Sequence, residues 1–299
     1  MTTVSVARAA GTRAGARDRD AWTLFWADTA QSRCAAGAPE IWESLQRHWA
    51  AFADSLPRGA RVLDLGCGAG AVGRMLLAAR DDVHVTGVDA ATVPRSNLPR
   101  MELLSETNME SLPFEGGSFS AVVSQFGYEY SQTDDAAAEV ARVLAPGAPL
   151  SFLVHHSQSA IVNTNRERRG AVVAFLAPPV RAAFCSGDAT VFRSQLALLV
   201  ERYPDDALIE HLARALPTRL GWMMDKRVST WESVADALAP EMSMAESLDA
   251  CCVAPAQIDG WVEPLRELCE LKPITILREG DGTPIAWCAE GTRGRSRAD

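Results

Sequence analysis

The first half of the chain alternates short apolar runs with amphipathic stretches, and this alternation predicts its secondary structure. Five short apolar runs, each followed by a glycine or a polar residue, predict buried strands at 61–65, 83–88, 101–105, 119–124 and 149–154. Apolar positions at helical spacing predict helices at 73–79 and 134–144. Strands that alternate with helices favour a doubly wound, mainly parallel sheet, which places the chain in the α/β class.

The N-terminal region carries a different pattern, in which aromatic residues recur at helical spacing. Trp22, Phe25 and Trp26 lie three and four residues apart, so residues 21–57 are predicted to be helical. They form either an N-terminal lid over a ligand site or ordinary core packing. Residues 1–20 are polar and contain no long apolar stretch, and they are predicted to be a disordered leader.

Beyond the alternating core, predicted at 58–158, the chain becomes helical and then returns to strands. Residues 159–271 are helix-rich and interrupted by prolines, and we interpret them as a helical insertion that caps the substrate site. Two apolar runs on either side of Gly280 predict a β-hairpin within 272–291. This antiparallel hairpin would close the core sheet, and residues 292–299 are predicted to be a tail.

The strongest chemical signal is a glycine-rich turn between the first predicted strand and the first predicted helix. The segment from Val62 to Gly70 reads Val-Leu-Asp-Leu-Gly-Cys-Gly-Ala-Gly. Glycines permit positive φ and let a ligand approach the backbone closely, and the helix that follows offers free N–H groups to an anionic group. The segment therefore predicts a ligand site at the carboxyl end of the first strand.

Two kinds of ligand remain open at this turn. Residues 68–73 read Gly-Ala-Gly-Ala-Val-Gly, the G-x-G-x-x-G pattern of dinucleotide sites. Asp89 follows at about the distance of the acid that binds ribose hydroxyls in such sites. Asp64, however, places a carboxylate just before the turn, where it would repel a pyrophosphate and attract an amine or a sulfonium.

From about residue 61 to residue 155 the chain resembles the class I, Rossmann-like S-adenosylmethionine (SAM)-dependent methyltransferases, and most closely the group that acts on small molecules. Segments similar to the family's motifs follow one another in the family's order, at 64–70, 85–89, 108–114, 118–123 and 143–150. Two positions depart from the usual pattern. Asn108 stands where the family usually has an aspartate for the adenine amino group, and Ser120 stands where an aspartate is common.

The resemblance implies which residues would hold SAM or its product, S-adenosylhomocysteine (SAH). Gly66, Gly68 and Gly70, with Cys67 among them, are expected to lie beneath the methionine part of the cofactor. Asp64 is expected to direct its carboxylate toward the methionine amine.

The remaining cofactor contacts are expected after the second, third and fourth strands. The resemblance implies that Asp89, followed by Ala90, binds the ribose diol, and that Asn108 and the Met109 backbone meet the adenine. Gln125 is expected to place its side-chain carbonyl near the amine.

Residues after the fourth and fifth strands are candidates for the substrate side, because open α/β sheets bind ligands at the carboxyl ends of their strands. His155 is predicted to be a general base for a nucleophile that must lose a proton, since histidine titrates near neutral pH. Tyr128 is the second catalytic candidate, and Tyr128 and Tyr130 are both expected either to line the pocket or to support the sulfonium by a cation–π contact. A hydrogen-bonded histidine without a proton role and a packed tyrosine are the alternatives.

Composition narrows the range of partners. The net charge is −9, which disfavours nucleic acid as the main partner. The seven cysteines include no C-x-x-C pair, so neither a disulfide framework nor a metal site is predicted, and a reducing, cytoplasmic compartment is favoured. No apolar run approaches the roughly 20 residues of a membrane span.

These observations predict a SAM-dependent methyltransferase that acts on an oxygen or nitrogen of a small molecule by in-line displacement. Three alternatives stay open at the level of the sequence. The acceptor could be a protein or an RNA, the chain could be a non-catalytic SAM-binding partner subunit, or the glycine pattern could belong to an NAD(P)-dependent oxidoreductase.

Overall fold

A computed structural model of the chain describes residues 16–27 and 39–294. Contacts between residues divide the chain into two compact units. The first contains the residues up to 162 together with those from 247 onward, and the second consists of residues 163–246. Most of the predicted leader and the end of the predicted tail lie outside the described residues.

The first unit is built on one eight-stranded sheet. Its strands are β1 (Arg61–Leu65), β2 (His84–Val88), β3 (Met101–Leu104), β4 (Ala121–Gln125), β5 (Pro149–His155), β6 (Cys269–Leu271), β7 (Thr275–Arg278) and β8 (Pro284–Arg293). The order across the sheet is β3-β2-β1-β4-β5-β8-β6, and β7 also pairs with β8. Strands β1 to β5 are parallel to their neighbours, whereas β8 is antiparallel to β5, β6 and β7. The predicted α/β fold, with a mainly parallel sheet and a closing antiparallel hairpin, is confirmed.

The described α-helices flank these strands in sequence. They are α1 (Ala16–Ala27), α2 (Pro39–Asp54), α3 (Ala71–Ala79), α4 (Thr133–Val143), α5 (Ala160–Phe175), α6 (Pro178–Ser186), α7 (Ala189–Arg202), α8 (Ala207–Ala215), α9 (Met224–Cys251) and α10 (Ile258–Leu268). None of the described helices combines the length and the apolar character needed to cross a bilayer.

Both faces of the sheet are covered, as expected for a doubly wound fold. On one face, α2 and α3 share an apolar core with residues of β1, β2, β4 and β8. On the other face, α4 and α10 share a second core with residues of β1, β4, β5 and β8. The parallel strands are therefore buried on both sides, which explains why they read as continuous apolar runs.

The N-terminal helices differ from the predicted leader and lid. Helix α1 begins at Ala16, so the last five residues assigned to the leader are helical. In α2, Leu45, Trp49 and Ala53 recur every four residues and are completely buried, which makes α2 a core helix. The lid hypothesis is thereby restricted to α1.

The helix-rich second unit is shorter than the predicted insertion at 159–271. Helix α10 belongs to the first unit, because Val262 and Leu265 on its apolar face are buried in the core beside α4. Strand β6 was missed by the sequence analysis, since three residues are too few to show a strand pattern. It pairs with the end of β8 opposite Gly291, where a Cβ would lie 2.6 Å from the carbonyl oxygen of Glu270.

The second unit has its own apolar core and a partly buried cluster of ion pairs. Its largest buried side chains are aromatic, namely Phe175, Phe184, Phe192 and Trp231. Arg168 forms ion pairs with Asp206 and Glu241. The basic residue in this position is thus paired within the unit.

Candidate active site

A cavity of about 330 Å³ opens at the carboxyl ends of the parallel strands in the first unit. Segments that follow β1, β2, β3 and β4 form most of its wall, and α1 contributes the rest. Open α/β sheets bind ligands at this edge, beside the point between β1 and β4 where the strand order reverses. The sequence-predicted residues in the cavity wall are Asp64, Gly66, Cys67, Asp89, Ala90, Asn108, Met109 and Gln125.

The glycine-rich turn after β1 depends on the conformational freedom of its glycines. Gly66, Gly68 and Gly70 have φ angles of 64°, 49° and 78°, in the left-handed region that side chains disfavour. Gly66 also crosses Gly127, which follows β4, so closely that a Cβ on Gly66 would lie 2.8 Å from the Cα of Gly127. The two glycines therefore let β1 and β4 end close together at the cavity.

Asp64 is the most unusual polar group in the cavity wall. Its side chain lies at the end of β1, and the residue is only 1% exposed. Neither carboxylate oxygen has a hydrogen-bond partner among the described residues. Burial, followed by the charge of Asp89, raises the pKa of Asp64 to about 8, although Arg74 acts in the opposite direction. A buried carboxylate without a partner at a cavity wall is a favourable site for a cationic group.

Asp89 follows β2 and holds the glycine-rich turn in place. One oxygen, Oδ2, accepts a hydrogen bond of 2.8 Å from the N–H of Gly68, and Oδ1 accepts one of 2.9 Å from the N–H of Ala91. Burial raises the pKa of Asp89, while these two hydrogen bonds lower it. Each oxygen has a second lone pair, so the carboxylate can also accept hydrogen bonds from a ligand.

Gln125 and Cys67 line the cavity, and the side chain of each forms a hydrogen bond within the protein. The Gln125 side-chain oxygen accepts a hydrogen bond of 2.7 Å from Nε1 of Trp49, a core residue of α2, and this bond orients the amide. Burial raises the pKa of the Cys67 thiol well above its usual range, so the thiol stays protonated. Asn108 and Met109 lie after β3 at the other side of the cavity.

Helix α1 supplies two aromatic rings to the cavity. Trp22 and Trp26 both line it, and their rings stack with centroids 6.0 Å apart. The edge of Trp22 meets Tyr130, with centroids 5.7 Å apart. The Trp26 ring packs directly on Gly68, where any side chain would overlap it. The helix therefore rests on the glycine-rich turn itself.

His155, the predicted base, lies one layer behind the cavity wall. Its Nδ1 is 2.7 Å from Oε1 of Glu129, and the same oxygen accepts a hydrogen bond of 2.9 Å from the His155 N–H. The imidazole stacks on Phe126, with centroids 4.2 Å apart. Phe126 lines the cavity and has a φ of 59°, which is uncommon for a residue other than glycine. The Glu129–His155 pair thus supports the ring that faces the cavity.

Of the two candidate tyrosines, the structure places Tyr130 in the cavity wall but not Tyr128. A single turn of 3-10 helix at Tyr128–Tyr130 follows β4 and directs the two tyrosines to different environments. Tyr128 is completely buried, its ring stacks on Phe152, and its hydroxyl donates a hydrogen bond of 2.9 Å to the carbonyl oxygen of Thr133. Tyr128 is therefore a core residue in this fold.

Several residues of the wall were not among those predicted for the site. Glu110 follows β3, and its Oε1 accepts a hydrogen bond of 2.9 Å from the N–H of Gln132, which links two sides of the cavity. Arg19 belongs to the segment predicted to be disordered. The full set of such residues is Arg19, Ala69, Ala71, Val72, Ala91, Thr107, Glu110, Gly127, Ser131, Gln132 and Asp135.

Comparison with known proteins covers the same region. Residues 62–147 match the family model described as Methyltransferase domain. The ribosomal RNA small subunit methyltransferase G of Salinispora tropica is 46% identical over 52 residues, which are 17% of this chain and 22% of that protein. An uncharacterised protein of Mycobacterium tuberculosis is 36% identical over 104 residues, 32% of this chain and 37% of that protein. The chain therefore spans well under half the length of these curated relatives.

Solved structures share the fold over nearly the whole chain. A chain from the complex of the Haloferax volcanii Trm112 methyltransferase activator with a methyltransferase has a TM-score of 0.50 at 13% identity, covering 92% of this chain and 98% of its own. The 1,6-didemethyltoxoflavin-N1-methyltransferase of Burkholderia thailandensis, solved with SAH bound, has a TM-score of 0.50 at 11% identity. The match covers 97% of this chain and 93% of that enzyme. The family match favours SAM over the dinucleotide that the glycine pattern had left open. Residues 62–147 therefore match a methyltransferase domain, and they lie in the doubly wound, mainly parallel α/β sheet that such a domain requires.

Proposed function

We propose that the protein transfers the methyl group of SAM to a small-molecule acceptor. The observation that carries this proposal is the buried Asp64 carboxylate, which lines the cavity and has no hydrogen-bond partner among the described residues. Such a carboxylate stabilises a cationic amine or a sulfonium and repels a pyrophosphate. The methionine part of SAM carries both of these cationic groups.

The polar groups of the wall match the parts of SAM one after another, from the methionine amine through the ribose to the adenine. Asp64 would bind the amine, and the second lone pair of the Gln125 carbonyl would accept from the same group. The free lone pairs of Asp89 would accept from the ribose hydroxyls, and Asn108 with the Met109 backbone would meet the adenine. SAM, when bound, supplies a methyl group made electrophilic by its sulfonium.

The protein's own contribution is to align the acceptor and exclude water. Four aromatic residues, Trp22, Trp26, Phe126 and Tyr130, line the cavity. Aromatic faces attract positive charge. Rings at these positions can therefore surround a sulfonium and keep water away from it. An in-line displacement needs such a dry, shaped space more than it needs a reactive side chain.

The charge of the cavity supports a small acceptor over a nucleic acid. Among the described wall residues, four carboxylates (Asp64, Asp89, Glu110 and Asp135) face a single guanidinium, that of Arg19. A binding surface for a phosphate backbone needs the opposite balance. The similarity to the ribosomal RNA methyltransferase covers only 52 residues.

A catalytic role for His155 stays a prediction. Its Nδ1 contacts Glu129, so Nε2 is the atom that would exchange a proton with an acceptor. His155 does not itself line the cavity, whereas Phe126, on which its imidazole stacks, does, so side chains would have to rearrange for this exchange. An acceptor that is already a neutral amine needs no base at all.

Calorimetric titration with SAH tests the cofactor site. We expect binding by the wild-type protein, and a loss of affinity of at least about tenfold, or about 1.4 kcal/mol, in Asp89→Ala. Asp281→Ala, in the exposed turn between β7 and β8, is the matched control and should bind as the wild type does. Failure of the folded wild-type protein to bind SAH would refute the proposal, and an NADH titration would then test the dinucleotide alternative.

Methyl-labelled SAM tests the class of acceptor separately. The labelled cofactor is incubated with the protein and, in parallel, with a panel of small amines and alcohols, with total RNA and with a protein extract. Transfer to a small molecule supports the proposal. Transfer to RNA or protein alone would retain the cofactor site and overturn the acceptor class.

A further inference from the structure

Away from the cavity, helix α2 and strand β8 bring together a histidine, a cysteine and a glutamate. His48, Cys288 and Glu290 each offer one ligand atom, and these atoms all lie within 4.8 Å of one another. Cys288 and Glu290 alternate along β8, so their side chains leave the same face of the sheet. We propose that these three residues bind a divalent cation of the zinc type.

The donor set fits this class of cation. Imidazole nitrogen, thiolate sulfur and carboxylate oxygen are the ligands that zinc takes in proteins. On binding, the thiol loses its proton to solvent, and the thiolate and the carboxylate together balance the two charges of the cation. Three protein ligands leave a fourth tetrahedral position for water.

The geometry needs only small side-chain adjustments. Metal–ligand distances of about 2.0–2.3 Å in a tetrahedral site place the ligand atoms roughly 3.5 Å apart. The largest separation that the three residues allow is 4.8 Å, so closure requires a shift of roughly 1.3 Å at most. Rotation about side-chain bonds of the partly exposed His48 and Glu290 covers such a distance.

Neighbouring side chains hold two of the ligands in place. A metal-bound histidine usually binds an oxygen through its other ring nitrogen, and the Ser151 hydroxyl lies 3.0 Å from Nε2 of His48. Binding of the cation through Nδ1 would preserve this contact. The Nζ of Lys272 lies 3.0 Å from Oε2 of Glu290, so the cation would take Oε1 or displace this exposed lysine. Thr275 lies opposite Cys288 in the pairing of β7 with β8.

The sequence analysis predicted no metal site because the cysteines show no paired spacing. These ligands come together only because α2 packs on the face of the sheet to which β8 contributes its side chains. None of the three lines the cavity, so the site and the proposed SAM site are tested independently.

Cobalt(II) titration of the 299-residue chain, after removal of metals with a chelator, tests the proposal. We expect a near-ultraviolet thiolate-to-cobalt charge-transfer band that saturates at one equivalent and is displaced by zinc. Cys288→Ser should abolish the band, whereas Cys269→Ser, at another buried cysteine of the same sheet, should retain it. Ser151→Ala should weaken cobalt affinity by at least about tenfold, the effect of removing an outer hydrogen-bond partner of a ligand.

SAH binding serves as the folding control, because Cys288 does not line the cavity and its variant should bind SAH as the wild type does. If Cys288→Ser loses SAH binding, Ser151→Ala carries the test in its place. Absence of the band from folded wild-type protein, or a band that survives Cys288→Ser, would show that the three residues are only a hydrogen-bonded packing cluster.

Discussion

At the scale of single residues, Asp64 couples ligand binding to a proton. Because burial raises its pKa to about 8, Asp64 is mostly protonated in the free protein at pH 7, whereas a bound amine favours the carboxylate. SAH binding at pH 7 should therefore release close to one proton, and the affinity should rise with pH until about 8 and then level off. Calorimetry in buffers of different ionisation enthalpy measures this release.

Asp64→Asn is the control for this coupling, and it should bind SAH weakly and without proton release. The same substitution also changes how the stability of the free protein depends on pH, and here a rising pH is unfavourable to the wild type, whereas it favours SAH binding. A carboxyl group whose pKa is raised by folding stabilises the folded state at low pH, and this contribution is lost as the pH rises through about 8. The wild type should thus lose stability relative to Asp64→Asn as the pH is raised. Wild-type binding with no proton release would contradict the assignment of Asp64 to the amine.

Gly127 limits how the residues after β1 and β4 can change. A Cβ at Gly127 would lie 2.9 Å from the Cα of Gly66 and 2.9 Å from the carbonyl oxygen of Leu65, and backbone atoms cannot move aside as a side-chain end can. Gly127→Ala should therefore lower the free energy of unfolding by about 1–3 kcal/mol, measured by denaturant titration. Gly260→Ala in α10, whose Cβ would meet nothing within 4 Å, should be neutral or stabilising. Equal stability of both variants would argue against the close crossing.

At the scale of elements, α1 is the part of the cavity wall that can control ligand release. Trp26 covers the glycine-rich turn from α1, a helix in which Ala21 is the one fully buried position among residues 19–27, so Trp26→Ala should weaken SAH binding by about tenfold, mainly through faster dissociation. Leu24→Ala, on the same helix at a position 60% exposed, is the matched control. Stopped-flow dissociation rates compare the two variants. Unchanged dissociation in Trp26→Ala would remove α1 from the binding site.

The sequence predicted best those elements whose signal is contiguous. Strands β1 to β5 and the turn that holds Gly66 could be predicted because a strand, its turn and the next helix follow one another along the chain. Tyr128 was misplaced because a single 3-10 turn decides which tyrosine faces the core. The pairing of Glu129 with His155 could not be predicted, since it depends on the register of β4 against β5.

At the scale of the whole molecule, the division into two units predicts that a substitution can destabilise the second unit without changing ligand binding by the first. Arg227 is buried in the second unit and donates to the carbonyl oxygens of Cys185, Leu220 and Trp222. Arg227→Met would leave these oxygens unpaired and should destabilise that unit by at least about 2 kcal/mol. SAH binding should be unchanged, because every residue in the cavity wall belongs to the first unit.

Differential scanning calorimetry with and without SAH measures both effects. SAH should raise the unfolding transition of the first unit, while Arg227→Met should lower that of the second. Arg181→Met, whose guanidinium is 52% exposed and 3.9 Å from Glu232, should change stability by less than about 0.5 kcal/mol. Loss of SAH binding in folded Arg227→Met would contradict this independence.

The pairing of β8 with β5 has a consequence for synthesis of the protein on the ribosome. Strand β5 ends at His155, whereas its partner begins at Pro284, so the entire second unit is translated between them. Until β8 emerges, β5 is an edge strand whose unpaired backbone groups can pair with another nascent chain. Closure over so long a separation in sequence is slow. The growing polypeptide therefore passes through a stage prone to aggregation, and a product that stops before Pro284 remains in it.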